Sequence, residues 1–147
     1  MVEKSPFYLP AGLPAPKPQR DGMDKGFWEA LRRHELVVQR CKACRTFQHG
    51  PEWICHNCHG GELEWHRVSG RGRLYSWVRS WNPVHPALKE AGPYIIAVVE
   101  LAEAGGVRMV GNLLGDPMQD APFDAEVEAV FEDRPGATLV QWRLVNG

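Results

Sequence analysis

The sequence predicts a mainly β protein in which an N-terminal arm and a short helix lead into a small cysteine ribbon, followed by a five-stranded barrel. Three features predict this. Prolines crowd the first eighteen residues, two Cys-x2-Cys pairs lie between positions 41 and 58, and apolar residues recur at every second position after Trp65. The 147 residues fit one or two small units, and a unit with little apolar core of its own needs a staple.

Residues 1–23 form the arm. Prolines at 6, 10, 14, 16 and 18 favour an extended, polyproline-like path, and Phe7, Tyr8, Leu9 and Leu13 give it a reason to lie on a folded body, since a purely solvated tail needs no aromatic side chains. Residues 24–66 hold the helix and the ribbon. Asp24 stands where a helix N-cap belongs, Phe27, Trp28 and Leu31 fall on one side, and Glu29, Arg32 and Arg33 fall on the other. Leu36 to Arg40 then runs extended into the first cysteine pair.

Residues 67–147 carry five extended candidates: Arg67–Ser80, Tyr94–Ala102, Val107–Leu114, Glu126–Asp133 and Thr138–Leu144. The fourth alternates Val127, Ala129 and Phe131 against Glu126, Glu128 and Glu132, and the fifth sets Val140, Trp142 and Leu144 against Gln141 and Arg143. Tyr94 to Val99 is apolar on both faces, which predicts a strand covered on both sides. Gly105-Gly106 predicts a tight hairpin, and Asp116-Pro117, Ala121-Pro122 and Arg134-Pro135-Gly136 break the chain between the remaining strands. Five short strands in this span match a Greek-key barrel of the OB type, whose closure removes exposed edges; a small open sandwich fits the pattern less well.

The strongest chemical signal is Cys41-Lys-Ala-Cys44, ten intervening residues, then Cys55-His-Asn-Cys58. Two such knuckles can present four thiolates tetrahedrally to one ion, the arrangement of a zinc ribbon or a rubredoxin-like site. Spacing does not separate zinc from iron. Knuckles beside a separate β-domain favour structural zinc, with iron the lesser alternative, and four thiolates leave no open position for catalysis at the metal. His49, His56 and His59 lie near enough to substitute for a cysteine, yet four cysteines already complete the shell, so these imidazoles are read as neighbours. Thiolates committed to a metal are also poor acyl-transfer nucleophiles.

Net charge is −1, against a general nucleic-acid binder, but residues 1–89 balance at +6 and residues 90–147 at −7. Arg67, Arg71, Arg73 and Arg79 form a run without an acidic residue that could face an anionic cofactor, although solvated arginines are the commoner outcome. Gly70-Arg-Gly72 lacks the third glycine of a dinucleotide loop, so its glycines are read as permitting a bend. Trp77, Trp81 and His85 flank a proline-bounded loop and are candidate contact residues, though most tryptophans are core. No paired carboxylates, Ser-His-Asp order or His-Glu-x-x-His motif appears, so the chain does not read as a self-sufficient enzyme. The longest apolar stretch is far short of the ~20 residues of a membrane span, and the N-terminus has neither a secretory nor a transit pattern, so a cytoplasmic location is expected.

Phe27-Trp28-Glu29-Ala30-Leu31, Gln39-Arg40-Cys41-Lys-Ala-Cys44, Cys55-His-Asn-Cys58, Val68-Ser69-Gly70-Arg71-Gly72 with Tyr75-Ser76, His85-Pro86 and Pro93-Tyr94 together resemble the domain of unknown function 35 family, a rubredoxin-like zinc ribbon followed by an OB-fold. The resemblance spans nearly the whole chain from Phe27. It implies an obligate partner of acyl-CoA enzymes, above all thiolase-fold proteins such as thiolases and steroid side-chain aldolases, and sometimes hotdog-fold hydratases. It further implies that catalysis belongs chiefly to the partner in a hetero-oligomer, that this chain stabilises the partner and helps shape an acyl-CoA channel, and that the four cysteines carry a structural zinc. Phe27, Trp28, Arg71, Arg73, Trp81 and His85 are the expected partner or CoA contacts. Single-stranded nucleic-acid binding is the alternative from another class, and rubredoxin-like electron transfer a third.

Overall fold

The computed structural model describes residues 5–13, 15 and 17–146, so Pro14 and Pro16 of the arm lie outside the described residues. Helix α1 (Lys25–Arg32) buries Phe27, Ala30 and Leu31. Asp24 sits at its N-cap but caps nothing. Its carboxylate accepts instead from the Gln19 amide and from Trp28 Nε1, each at 2.9 Å, tying the arm to the helix. The helix ends at His34, whose φ of 56° is the left-handed conformation that breaks the helical path, and the Arg33 and His34 amides close the last turn on Ala30 and Leu31.

Three strands form the ribbon sheet in the order β2 (Phe47–Gln48), β1 (Leu36–Cys41), β3 (Leu63–Val68), all antiparallel. The register runs from Leu36 opposite Val68 to Cys41 opposite Leu63. The stretch expected as one strand from Arg67 to Ser80 is therefore two. Gly70, at φ 87°, turns the chain out of the ribbon, and β4 (Arg71–Ser80) starts the barrel. Only glycine takes that conformation without strain.

The barrel sheet has the order β6 (Val107–Asn112), β5 (Tyr94–Leu101), β4, β7 (Glu126–Arg134), β8 (Ala137–Leu144). Its two edge strands meet at a parallel bridge between Leu113 and Trp142, where the Leu114 amide donates to Trp142 O at 2.7 Å. This closes the barrel at one end, as an OB-fold requires. Gly111 permits the approach: a Cβ there would stand 2.9 Å from both Trp142 Cδ1 and Val140 O. The β5–β6 connection is longer than a two-residue hairpin, because a 3-10 turn at Ala102–Ala104 precedes the left-handed Gly105 and Gly106. Leu74, Ile95, Val99, Met109, Val127 and Trp142 fill the barrel, and the same apolar cluster continues without a break into Leu31, Leu36, Val38 and Val68 of the helix and ribbon.

Two faces differ from the sequence expectation. Glu132, expected in water, is buried with Arg134: Arg134 donates to Glu132 Oε2 at 3.1 Å and Gln141 donates to Glu132 Oε1 at 3.3 Å. Arg134 also donates to the carbonyls of Leu9, Pro10 and Leu13, while Tyr8 stacks on Tyr94 with ring centres 4.2 Å apart and donates to Gly92 O. The arm thus lies on the barrel. Conversely, the outer face of β5 is only partly covered, with Ile96 and Val98 half-buried. Ile96 and Val98 point outward between Val78, 58% exposed, and Val110, 63% exposed. No helix among the described residues is long and apolar enough to cross a membrane.

Arg134→Ala is expected to cost about 3–5 kcal/mol, because it strands a buried carboxylate without its cation, and to speed tryptic cleavage after Arg20 by freeing the arm. Urea denaturation and limited digestion check both effects; an unchanged midpoint with an intact arm would contradict the assignment.

Candidate metal centre

The two knuckles sit in separate connections of the ribbon. The first is the turn after β1, and the second belongs to the segment between β2 and β3. Hydrogen bonds fix both. The Cys44 amide donates to Cys41 Sγ and the Asn57 amide to Cys55 Sγ, at 3.5 and 3.4 Å. Two buried glutamines hold the second knuckle against the sheet: Gln48 Nε2 donates to Gln39 Oε1, Gln39 Nε2 donates to Glu52 O, and Gln48 Oε1 accepts from the His56 amide. Nothing in the residue pattern marks those glutamines as structural, since buried amides share no periodic signature with apolar core.

No disulfide joins the four cysteines, and their sulfurs lie within 4.8 Å of one another. Cys41 to Cys58 and Cys44 to Cys55 are both 3.6 Å, close to the ~3.8 Å edge of a tetrahedron whose metal–sulfur bonds are ~2.3 Å. The Thr46 hydroxyl and amide and the Asn57 side chain surround Cys44 and hold its thiol down at about 5. At Cys58 the Gly60 amide lowers the pKa, but the sulfurs of Cys41 and Cys44 outweigh it and push it up to about 11. Four thiolates cannot share this space without a cation, and a soft tetrahedral sulfur set matches a metal ion. His49, His56 and His59 are not among the converging donors.

The other expected contacts fall into separate places. Phe27 and Trp28 wall a cleft of about 670 Å³ between α1 and the β6–β8 seam, together with His49, Ile96, Val110 and Leu139. Arg71 pairs with Glu126 and Glu128, and Arg73 donates to Asp124 O. Arg67 pairs with Glu35, and Arg79 donates to Pro117 O and Gln119 O, pinning the β6–β7 loop. Each arginine of the run has an acceptor within the chain. Trp81 is exposed beyond β4, and His85 Nδ1 accepts from the Ala87 amide at the next turn.

Residues 28–64 match the ChsH2 rubredoxin-like zinc ribbon domain, and residues 65–132 match the ChsH2 C-terminal OB-fold domain. Among solved structures, the chain superposes on the Ltp2-ChsH2(DUF35) aldolase with a TM-score of 0.76 and 32% identity, covering 88% of this chain and 98% of that one. The chain belongs to the DUF35 family. This DUF35 protein is 31% identical to a DUF35 domain-containing scaffold protein of Methanothermobacter thermautotrophicus, over 68% of its own length and 74% of that protein's. It is also 28% identical to the benzoylsuccinyl-CoA thiolase subunit BbsA of Thauera aromatica, over 97% and 91% of the two chains. Identity is 43% with a probable enoyl-CoA hydratase alpha subunit of Thermomonospora curvata, where the alignment covers 63% of this chain and 28% of that protein.

Cys55→Ser, at a buried position of the cluster, is expected to abolish stoichiometric metal and to open the ribbon. Metal analysis and amide exchange across Leu36–Val68 check this; a variant retaining its full metal content and protection would refute a four-sulfur shell.

Proposed function

We propose that this DUF35 protein is a non-catalytic accessory subunit of a cytoplasmic acyl-CoA-processing complex, bound to a thiolase-fold enzyme that acts as a thiolase or a side-chain-cleaving retro-aldolase. It stabilises that partner and contributes a wall to the acyl-CoA channel, while its four cysteines hold a structural zinc. The observation that carries the reading is the match to the DUF35 component of an aldolase over 98% of that component's length. The near full-length similarity to a thiolase subunit supports the same partner class.

Physical features agree with an accessory role. The metal shell is filled by protein sulfur, so the ion supplies folding energy and has no position for substrate. The exposed Val78 and Val110, with the half-buried Ile96 and Val98 between them, give the barrel a face that another protein would bury. A nucleic-acid role fits less well, because the arginines of the basic run are spent on acceptors of the same chain. A second reading, partnership with a hotdog-fold hydratase, is favoured by the 43% identity to a hydratase alpha subunit, although this chain spans under a third of that protein.

Coexpression with candidate genes and purification through a tag on this chain is the test. A thiolase-fold companion should copurify and turn over acyl-CoA, the isolated chain should not, and metal analysis should give one zinc per chain. Copurification of a hydratase would select the second reading. Turnover by the isolated chain, or a visibly coloured iron–thiolate protein, would refute the assignment.

A further inference from the structure

Strand β6 leaves one side of its backbone unpaired. In an antiparallel ladder alternate residues turn their N–H and C=O groups toward one neighbour, and the residues between turn theirs the other way. The Leu113 amide donates to Ile95 O on β5, so Val107, Met109 and Gly111 face β5, whereas Arg108, Val110 and Asn112 face away from it toward β8. The Asn112 and Leu114 amides find acceptors there, Gln141 Oε1 and Trp142 O. Arg108 and Val110 do not. Among the described residues neither their N–H nor their C=O groups meet a partner, since β6 and β8 form no ladder beyond the Leu113–Trp142 bridge. Beside them opens the cleft of about 670 Å³ walled by Phe27, Trp28, Leu31 and Leu139.

An exposed edge usually carries a device against pairing, such as a charge, a proline or a bulge. Strand β6 has none in use. Its ladder with β5 is regular, it contains no proline, and its one charge is drawn away from the edge. Arg108 pairs with Glu100 and lies over the Tyr75 ring, with its guanidinium carbon 3.7 Å from the ring centre. The unpaired groups recur at every second residue beside apolar walls, and that spacing is the repeat of another extended backbone. A second copy of this chain fits poorly as its source. Helix α1 stands beside β6, so the β6 edges of two copies would be held apart by their helices, whereas a single segment needs only the cleft.

We infer that one extended segment of the partner enzyme adds to β6 as a strand, exchanging main-chain hydrogen bonds with Arg108 and Val110 and setting alternate apolar side chains against Phe27, Trp28 and Leu139. The inference rests on the accessory-subunit reading and adds to it how the two chains join. Pairing over Arg108 to Val110 takes a segment of about four residues, roughly 13 Å of extended chain.

The test uses the copurified complex and two substitutions at one position. Val110→Pro removes only the outward N–H, because Met109 and Gly111 make the β5 side of the ladder; Val110→Thr keeps that N–H and nearly the same side-chain shape. Val110→Pro is expected to weaken partner binding at least about tenfold relative to Val110→Thr, with the two free variants melting alike. In the native complex the Arg108 and Val110 amides should exchange hydrogen at least about tenfold more slowly than in the free chain. Equal partner binding by the two variants, or unchanged exchange at both amides in an intact complex, would overturn the inference and leave the accessory-subunit reading in place. Should Val110→Pro fail to fold, the exchange comparison on native chains decides alone. Slow exchange at both amides in the free chain, constant or growing with its concentration, would assign the edge to the chain itself or to a second copy and overturn the inference. Failure of the native chain to capture any acyl-CoA enzyme would instead defeat the accessory-subunit reading, and the inference with it.

Discussion

Four sulfurs drawn within 4.8 Å form the constraint from which the N-terminal half takes its shape. Thiolates at that spacing repel, and a multivalent cation turns the repulsion into the ribbon's main cohesive force, worth roughly 10–16 kcal/mol in isolated zinc-finger peptides. The ribbon needs it. Among its strands only β1 is buried along nearly its whole length, whereas β2 is two residues long and β3 is half exposed. Fixing the knuckles sets the β1–β3 register, which ends with Leu36 opposite Val68 and hands the chain to the barrel through Gly70. Helix α1 packs on both β1 and β8, so ribbon and barrel share the cluster that buries Phe27 and Leu31.

The barrel solves a second problem with a buried ion pair. Arg134 and Glu132 are 7% and 2% exposed, and such a pair gains little net stability unless its remaining hydrogen-bonding capacity is met. The arm meets most of it, giving the two terminal guanidinium nitrogens the backbone carbonyls of Leu9, Pro10 and Leu13 and leaving Nε unpaired. Prolines suit that task. Their stiffness reduces the entropy lost when the arm is ordered, and a polyproline-like path leaves carbonyls free to accept, with no competing internal ladder. Tyr8 on Tyr94 then anchors the arm to the first residue of β5.

Much of this was legible in the residues because it rests on local spacing. The two knuckles, the period of two in β7 and β8, and the apolar stripe of α1 each follow from the geometry of one element. What stayed hidden involves long-range partners. The split of Arg67–Ser80 depends on β3 finding β1, which a continuous extended pattern does not reveal. Glu132 reads as solvated because its cation and its cover arrive from Arg134 and, through it, from a segment more than 120 positions away. Asp24 occupies the cap position, yet its carboxylate answers to Trp28 and Gln19. Similarly, Arg67, Arg71, Arg73 and Arg79 look like one basic track until each is seen beside its own acceptor.

The contrast between β5 and β7 is the clearest physical argument about function. Both belong to the same barrel, and both send alternate residues into the same core. On β7, Glu126 and Glu128 point outward and are matched by Arg71 and Arg143, as a strand facing water should be. On β5 the outward positions are Ile96 and Val98, with Val78 and Val110 beside them on the neighbouring strands. Solubility alone gives no reason for that difference, since every square ångström of apolar surface left in water forfeits about 25 cal/mol that burial would return. The apolar patch spans β4, β5 and β6 around the half-buried Ile96 and Val98 and stops at Glu100, which Arg108 matches. A second polypeptide seated over β4, β5 and β6, as proposed above, would bury Val78 and Val110 together with the half-buried Ile96 and Val98 between them.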